Sequence, residues 1–118
     1  MKPERRDAPR FAIWFPMQLG SDGDVVIAIS RDVSEVGVLL VAAASLEVGS
    51  RVSVTMALPG DEAGERVVSG RVVRVETNPD DAEGVWRHRV AVAFDERVPA
   101  LEPFLEQIAR ASRPPPAR

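Results

Sequence analysis

The chain has 118 residues, 45% of them apolar and 28% charged, which is the make-up of one ordinary globular domain. With no cysteine it has no disulfides or thiolate metal sites, and a net charge of −3 excludes a protein that grips polyanions over its whole surface. The longest apolar run, residues 37–44, is too short to span a bilayer and residues 1–10 are too polar for a secretory leader, so a cytoplasmic protein without membrane insertion is expected.

Residues 1–10 carry Lys2, Arg5, Arg6 and Arg10 against Glu4 and Asp7, and include Pro3 and Pro9. Without an apolar period they are expected to form a flexible basic arm. A first strand is expected over Phe11–Leu19, where Pro16, lacking an amide proton, calls for an edge or bulge position. Ser21-Asp22-Gly23-Asp24 has the chemistry of a tight hairpin turn, and a second strand should run from Val25 to about Ser30. Arg31-Asp32-Val33-Ser34-Glu35-Val36-Gly37 then interrupts the apolar character, which resumes in a third strand from Gly37 to Val41.

After a connection at Leu46–Gly49, Val52, Val54, Met56 and Leu58 alternate with Ser53, Thr55 and Ala57, the period of a half-buried strand. Residues 59–64 read as a loop and Arg66–Glu76 as a fifth strand. Its apolar set changes face between Val72 and Val73, the signature of a bulge or sharp bend. Asn78–Gly84 is a further loop. Trp86–Phe94 is a sixth strand, with His88, Val90, Val92 and Phe94 on one face. Leu101, Phe104, Leu105, Ile108 and Ala111 form a helical stripe, with Pro99 and Pro103 tolerable near the first turn. Residues 113–118 are too rich in proline to extend the helix and are expected to be a disordered tail. The elements describe an all-β domain over residues 11–112, an antiparallel barrel or sandwich finished by one C-terminal α-helix.

The interruption admits two readings. Asp32 and Ser34 can simply bond nearby amides while Gly37 takes a positive φ, and the basic arm can be a solvated tail. Taken together they say more. A hairpin brings the start of its first strand beside the end of its second, so the arm and the interruption should meet at one rim. Guanidinium forks match phosphate oxygens and the O6/N7 edge of guanine. A carboxylate accepts from the guanine N1–H and N2–H₂ groups, and a glycine lets a flat base or a phosphate approach the backbone. That set suits a guanine nucleotide better than bare phosphate or a sugar.

Arg6 and Arg10 form an RxxxR run, preceded by Arg5, and Asp32-Val33-Ser34-Glu35-Val36-Gly37 forms a DxSxxG run. The two, in this order and strand context, resemble the PilZ domain family, bacterial receptors for cyclic di-GMP. The resemblance implies a six-stranded antiparallel β-barrel with one C-terminal α-helix. It also implies that Arg6 and Arg10 grip guanine edges and phosphates, with Arg5 as the frequent extra arginine. Asp32 would accept from a guanine Watson–Crick edge, Ser34 would hold phosphate or fix the turn, and Gly37 would allow close approach. In the family the ligand is often a stacked pair of cyclic di-GMP molecules. The function implied is a receptor whose arm changes conformation on binding and signals to a separate partner protein. The alternative is an adaptor of the same fold that no longer binds nucleotide.

Other chemistries find less support. His88 is the lone histidine, so no metal site is expected, and Ser34 has no histidine within local reach to activate it. Asp61-Glu62 and Asp80-Asp81 read as solvated loop carboxylates, so neither an enzyme nor a resident cofactor is expected. Trp14 and Trp86 read as core or rim fillers rather than base-stacking platforms. The strands carry little of a basic face with interleaved aromatics beyond Arg71, Arg74, Arg87 and Arg89, which argues against a nucleic-acid polymer as partner.

Overall fold

The structure, a computed structural model, describes residues 9–58, 61–62 and 64–112, with the expected arm's residues 1–8 and the tail 113–118 outside them. Its strands are β1 (Pro16–Ser21), β2 (Asp24–Val33), β3 (Gly37–Ala42), β4 (Arg51–Ala57), β5 (Glu65–Thr77) and β6 (His88–Phe94), followed by one helix, α1 (Leu101–Ser112). The six strands close into a barrel in the order β1-β2-β3-β6-β5-β4, every neighbouring pair antiparallel. Closure leaves no edge strand among the described residues. The expected barrel and C-terminal helix are both present.

The β1–β2 turn is the tight hairpin expected from Asp-Gly. Asp22 (φ 52°) and Gly23 (φ 85°) are its two left-handed residues, and Ser21 pairs with Asp24 across it. β1 itself starts later than expected, at Pro16 rather than Phe11. The cause is Ser30, fully buried on β2. Its hydroxyl donates to the Ile13 carbonyl (2.6 Å) and accepts from the Phe15 amide (3.0 Å), so a side chain replaces strand pairing over that stretch. At the first position of a strand Pro16 forfeits little, so a central place in the barrel suits it.

β2 continues past Ser30 to Val33 because a register shift between Ser30 and Asp32 absorbs Arg31. Two residues three apart in sequence, Ser30 and Val33, can thereby both face the interior. The shift expected in β5 lies between Val72 and Arg74 and does the same for Val72 and Val75. β6 starts at His88, two residues later than expected, because the Trp86 amide and carbonyl bond the Asp81 and Asn78 side chains instead of a strand.

The core is built from the inward alternates of every strand, among them Leu19, Leu40, Val54, Val72 and Val90, all fully buried. Leu101 and Leu105 of α1 join the same cluster, with Phe104 and Ile108 packed against it. Pro103 lies at the third helical position, where its missing amide would have no helical partner in any case. The connectivity sends the start of β1, the β2–β3 loop, the β4–β5 loop and the chain after β6 to one rim of the barrel. α1 begins at this rim.

Candidate functional site

The expected meeting of the arm's end with the interruption occurs at that rim. Phe11 and Val33 exchange both backbone hydrogen bonds, at 2.8 and 2.9 Å, which sets Arg10 beside Asp32. Arg10 Nε lies 3.6 Å from Asp32 Oδ1, the arginine side chain 69% exposed and the aspartate 24%. Such a pair is weakly held, because water screens it and a long side chain loses rotamer freedom in forming it.

The rest of the interruption is a tight loop between β2 and β3. The Ser34 amide donates to the Gly37 carbonyl (2.9 Å), and the Ser34 hydroxyl accepts from the Val36 amide (3.1 Å). These bonds make Ser34 part of the turn. Among the described residues the left-handed glycines are Gly23, Gly49 and Gly64, so Gly37 does not take the positive φ of the simple turn reading. A Cβ at Gly37 would stand 2.5 Å from the Val92 carbonyl oxygen of β6, so the close approach that demands a glycine is made by a neighbouring strand.

Sequence reasoning passed over Glu35, which turns inward. Arg97 Nε reaches its carboxylate at 2.5 Å, and the glutamate side chain is only 6% exposed. Backbone bonds from Val98 to the Glu35 carbonyl (2.8 Å) and from Phe94 to the Val36 carbonyl (2.9 Å) tie the loop to the segment leading into α1. The hydrogen bond from Arg97 holds the Glu35 carboxyl below its ordinary range. Glu102, on the first turn of α1, moves the other way, chiefly because it shares a hydrogen bond with Glu35 and then because of burial. The loop therefore carries one arginine–carboxylate pair on each flank.

Beside the loop lies a pocket of about 850 Å³ on the outer wall of β3, β6 and β5. Arg10, Ser34, Val36 and Gly37 line its rim end, Leu39, Ala91 and Ala93 its floor, and Val73 and Arg74 its far side. The floor is built of small side chains on β6, which alternates core valines with outward alanines. Four of the residues singled out from sequence are thus close together: Arg10, Ser34 and Gly37 line the pocket, and Asp32 contacts Arg10. Arg5 and Arg6 lie outside the described residues. The far side of the pocket was not anticipated, although the change of face at Val72–Val73 was its visible trace.

Several other expectations are corrected. Asp61 is not a solvated loop carboxylate, for its side chain is 2% exposed and bound to Arg66 at 2.5 Å. Arg66 in turn lies over the Phe104 ring of α1. Asp81 accepts from the Trp86 amide and so holds the β5–β6 connection. Trp14 is exposed, with the Arg31 guanidinium 5.1 Å from its ring centre. Among the described residues no group of acidic or histidine side chains could hold a metal, and no helix is long and apolar enough to cross a membrane.

Comparison with known proteins agrees with the architecture. The sequence model of the PilZ domain matches residues 4–110. Among curated proteins, no sequence matches the chain significantly. Among solved structures, the PilZ domain of YcgR from Escherichia coli, a structure with c-di-GMP, superposes with a TM-score of 0.60 at 17% identity, covering 92% of this chain and 91% of that one. The PilZ domain of CeSA from a cellulose-synthesizing bacterium gives 0.56 at 16% identity, covering 87% and 96%. The Bacillus subtilis inhibitor of motility (MotI/DgrA) gives 0.68 at 18% identity, covering 92% of this chain but 52% of that one, so the present chain spans about half its length.

Proposed function

The chain belongs to the PilZ domain family, and from that premise we propose that it is a cytoplasmic bacterial receptor for cyclic di-GMP that passes the signal to a separate protein. The observation that carries this reading is the Arg10–Asp32 pair, in which an exposed arginine that lines the pocket contacts a half-buried aspartate. A guanidinium and a carboxylate side by side can serve both edges of guanine: the arginine donates to O6 and N7, and the aspartate accepts from N1–H and N2–H₂. The backbone around Gly37 and the apolar floor of Leu39, Ala91 and Ala93 leave room for a flat ring.

Arg5 and Arg6 would join Arg10 on the ligand's phosphates and exposed bases. Ordering an arm costs roughly 1–2 kcal/mol of backbone freedom per residue, and charge-assisted arginine bonds must offset that cost. The ligand would thus move the arm, and the altered arm would present a new surface to the partner. Recognition of the ligand needs no bond making, so the reading assigns no catalytic residue and no resident cofactor.

The test is calorimetric titration with cyclic di-GMP at physiological salt. The chain should bind, and Arg10→Ala should weaken binding about 100-fold or more, since two charge-assisted bonds are lost. No binding by the unaltered chain would favour the adaptor that works through protein contacts alone.

A further inference from the structure

We propose that Arg74 is a ligand-holding residue of the same pocket, gripping an anionic phosphate oxygen from the side opposite Arg10. The inference rests on the reading of the pocket as a cyclic di-GMP site, and it concerns a residue outside both sequence motifs.

Four observations carry it. Arg74 lines the far side of the pocket. It sits at the β5 register shift, and a bulge of this kind re-aims side chains that regular pairing would direct elsewhere. It is also in line with the floor: Leu39 of β3 is paired with Ala91 of β6, which is paired with Arg74 of β5. Arg10 stands at the β2 end of that row, through its contact with Asp32. A planar ligand lying on the small side chains of β3 and β6 would therefore meet a guanidinium at each side.

Arg74 is also available. It contacts Glu76 at 3.4 Å, both side chains being largely exposed, and an exposed pair of that kind yields readily to a ligand. Glu76 is shared with Arg89, 3.2 Å away, so releasing Arg74 does not leave a carboxylate without a cation. Phosphate is the better match on this side. The guanine edge already has its donor and acceptor in Arg10 and Asp32, and Glu76, the carboxylate beside Arg74, is also paired with Arg89.

The experiment is titration of the full chain with cyclic di-GMP, comparing Arg74→Ala, Arg74→Lys and Arg10→Ala with the unaltered protein. The expected result is a rise in Kd of about tenfold or more for Arg74→Ala, the loss of one charge-assisted bond, with an unchanged melting curve. Arg74→Lys, which keeps the charge but not the fork, should retain part of the affinity lost in Arg74→Ala, since lysine still binds phosphate as a point charge. Binding by Arg74→Ala equal to that of the unaltered chain, while Arg10→Ala fails, would overturn this inference and leave the function standing. Arg74→Lys as weak as Arg74→Ala would overturn the assignment to a phosphate oxygen. Failure of the unaltered chain to bind would overturn the functional reading and this inference with it.

Discussion

Two arginine–carboxylate pairs flank the β2–β3 loop, alike in composition and opposite in setting. Arg10 and Asp32 meet at 3.6 Å with the arginine exposed and the aspartate half-buried, whereas Arg97 and Glu35 meet at 2.5 Å with the glutamate enclosed. An exposed pair contributes about 0–1 kcal/mol and can be opened by a competing anion. An enclosed carboxylate that lost its arginine would be stranded, so the inner pair is held shut. Ser34 and Gly37 fall on the holding side as well, through the turn and the contact with β6. A motif that reads as one functional string is thus divided in space. Glu35 turns inward, Ser34 and Gly37 hold the loop while also lining the pocket, and Asp32 stands beside Arg10.

Substitutions can break that division. The largest effect on stability is expected at Gly37. Gly37→Ala forces a methyl group against the Val92 carbonyl and should cost about 1–3 kcal/mol in denaturant unfolding, the usual penalty of overpacking. Unchanged stability would return Gly37 to the role of admitting a ligand.

A smaller effect, and one with a pH signature, is expected at Glu35. Its folded-state pKa is lowered, so the stability it contributes is present above the ordinary carboxylate range and disappears as pH falls through the lowered value. Glu35→Gln should therefore melt below the unaltered chain at neutral pH, with the gap closing in acid. Arg97, Glu102 and, through Glu102, Glu106 are the charged neighbours that shape this profile. A gap that does not depend on pH would mean that shape, not charge, holds the loop.

The smallest structural effect belongs to the outer pair. Asp32→Ala should alter unfolding stability by no more than about 0.5 kcal/mol while weakening cyclic di-GMP binding. If it instead destabilised the fold as much as Gly37→Ala does, both pairs would be structural and the contrast would collapse.

The sequence was most legible where a single physical rule acts alone. Asp22-Gly23 specified its turn because few other dipeptides accept two successive positive φ values. Alternation of period two marked β4, and the break at Val72–Val73 marked the β5 bulge. The second bulge was hidden because the residue it turns inward is Ser30, which a hydropathy pattern places outside. Ser30 also hid the true start of β1, since nothing in the residue type announces that its hydroxyl will bond Ile13 and Phe15. Asp61 misled for a similar reason. A carboxylate in a loop is usually solvated, and only the return of Arg66 on β5 encloses this one.

Residue order alone determined the strand and helix content, the hairpin that brings Arg10 to Asp32, and membership of the PilZ domain family. These depend on local chemistry and on pairing between neighbours in the chain. Tertiary structure decided which of two similar carboxylates became an anchor and which remained at the pocket mouth. It also decided that Arg74 lines the same pocket as Arg10, although β1, β2, β3, β4 and most of β5 separate them in sequence. Burial and the lateral order of strands in a closed barrel are properties of the whole chain, and no short stretch of sequence contains them.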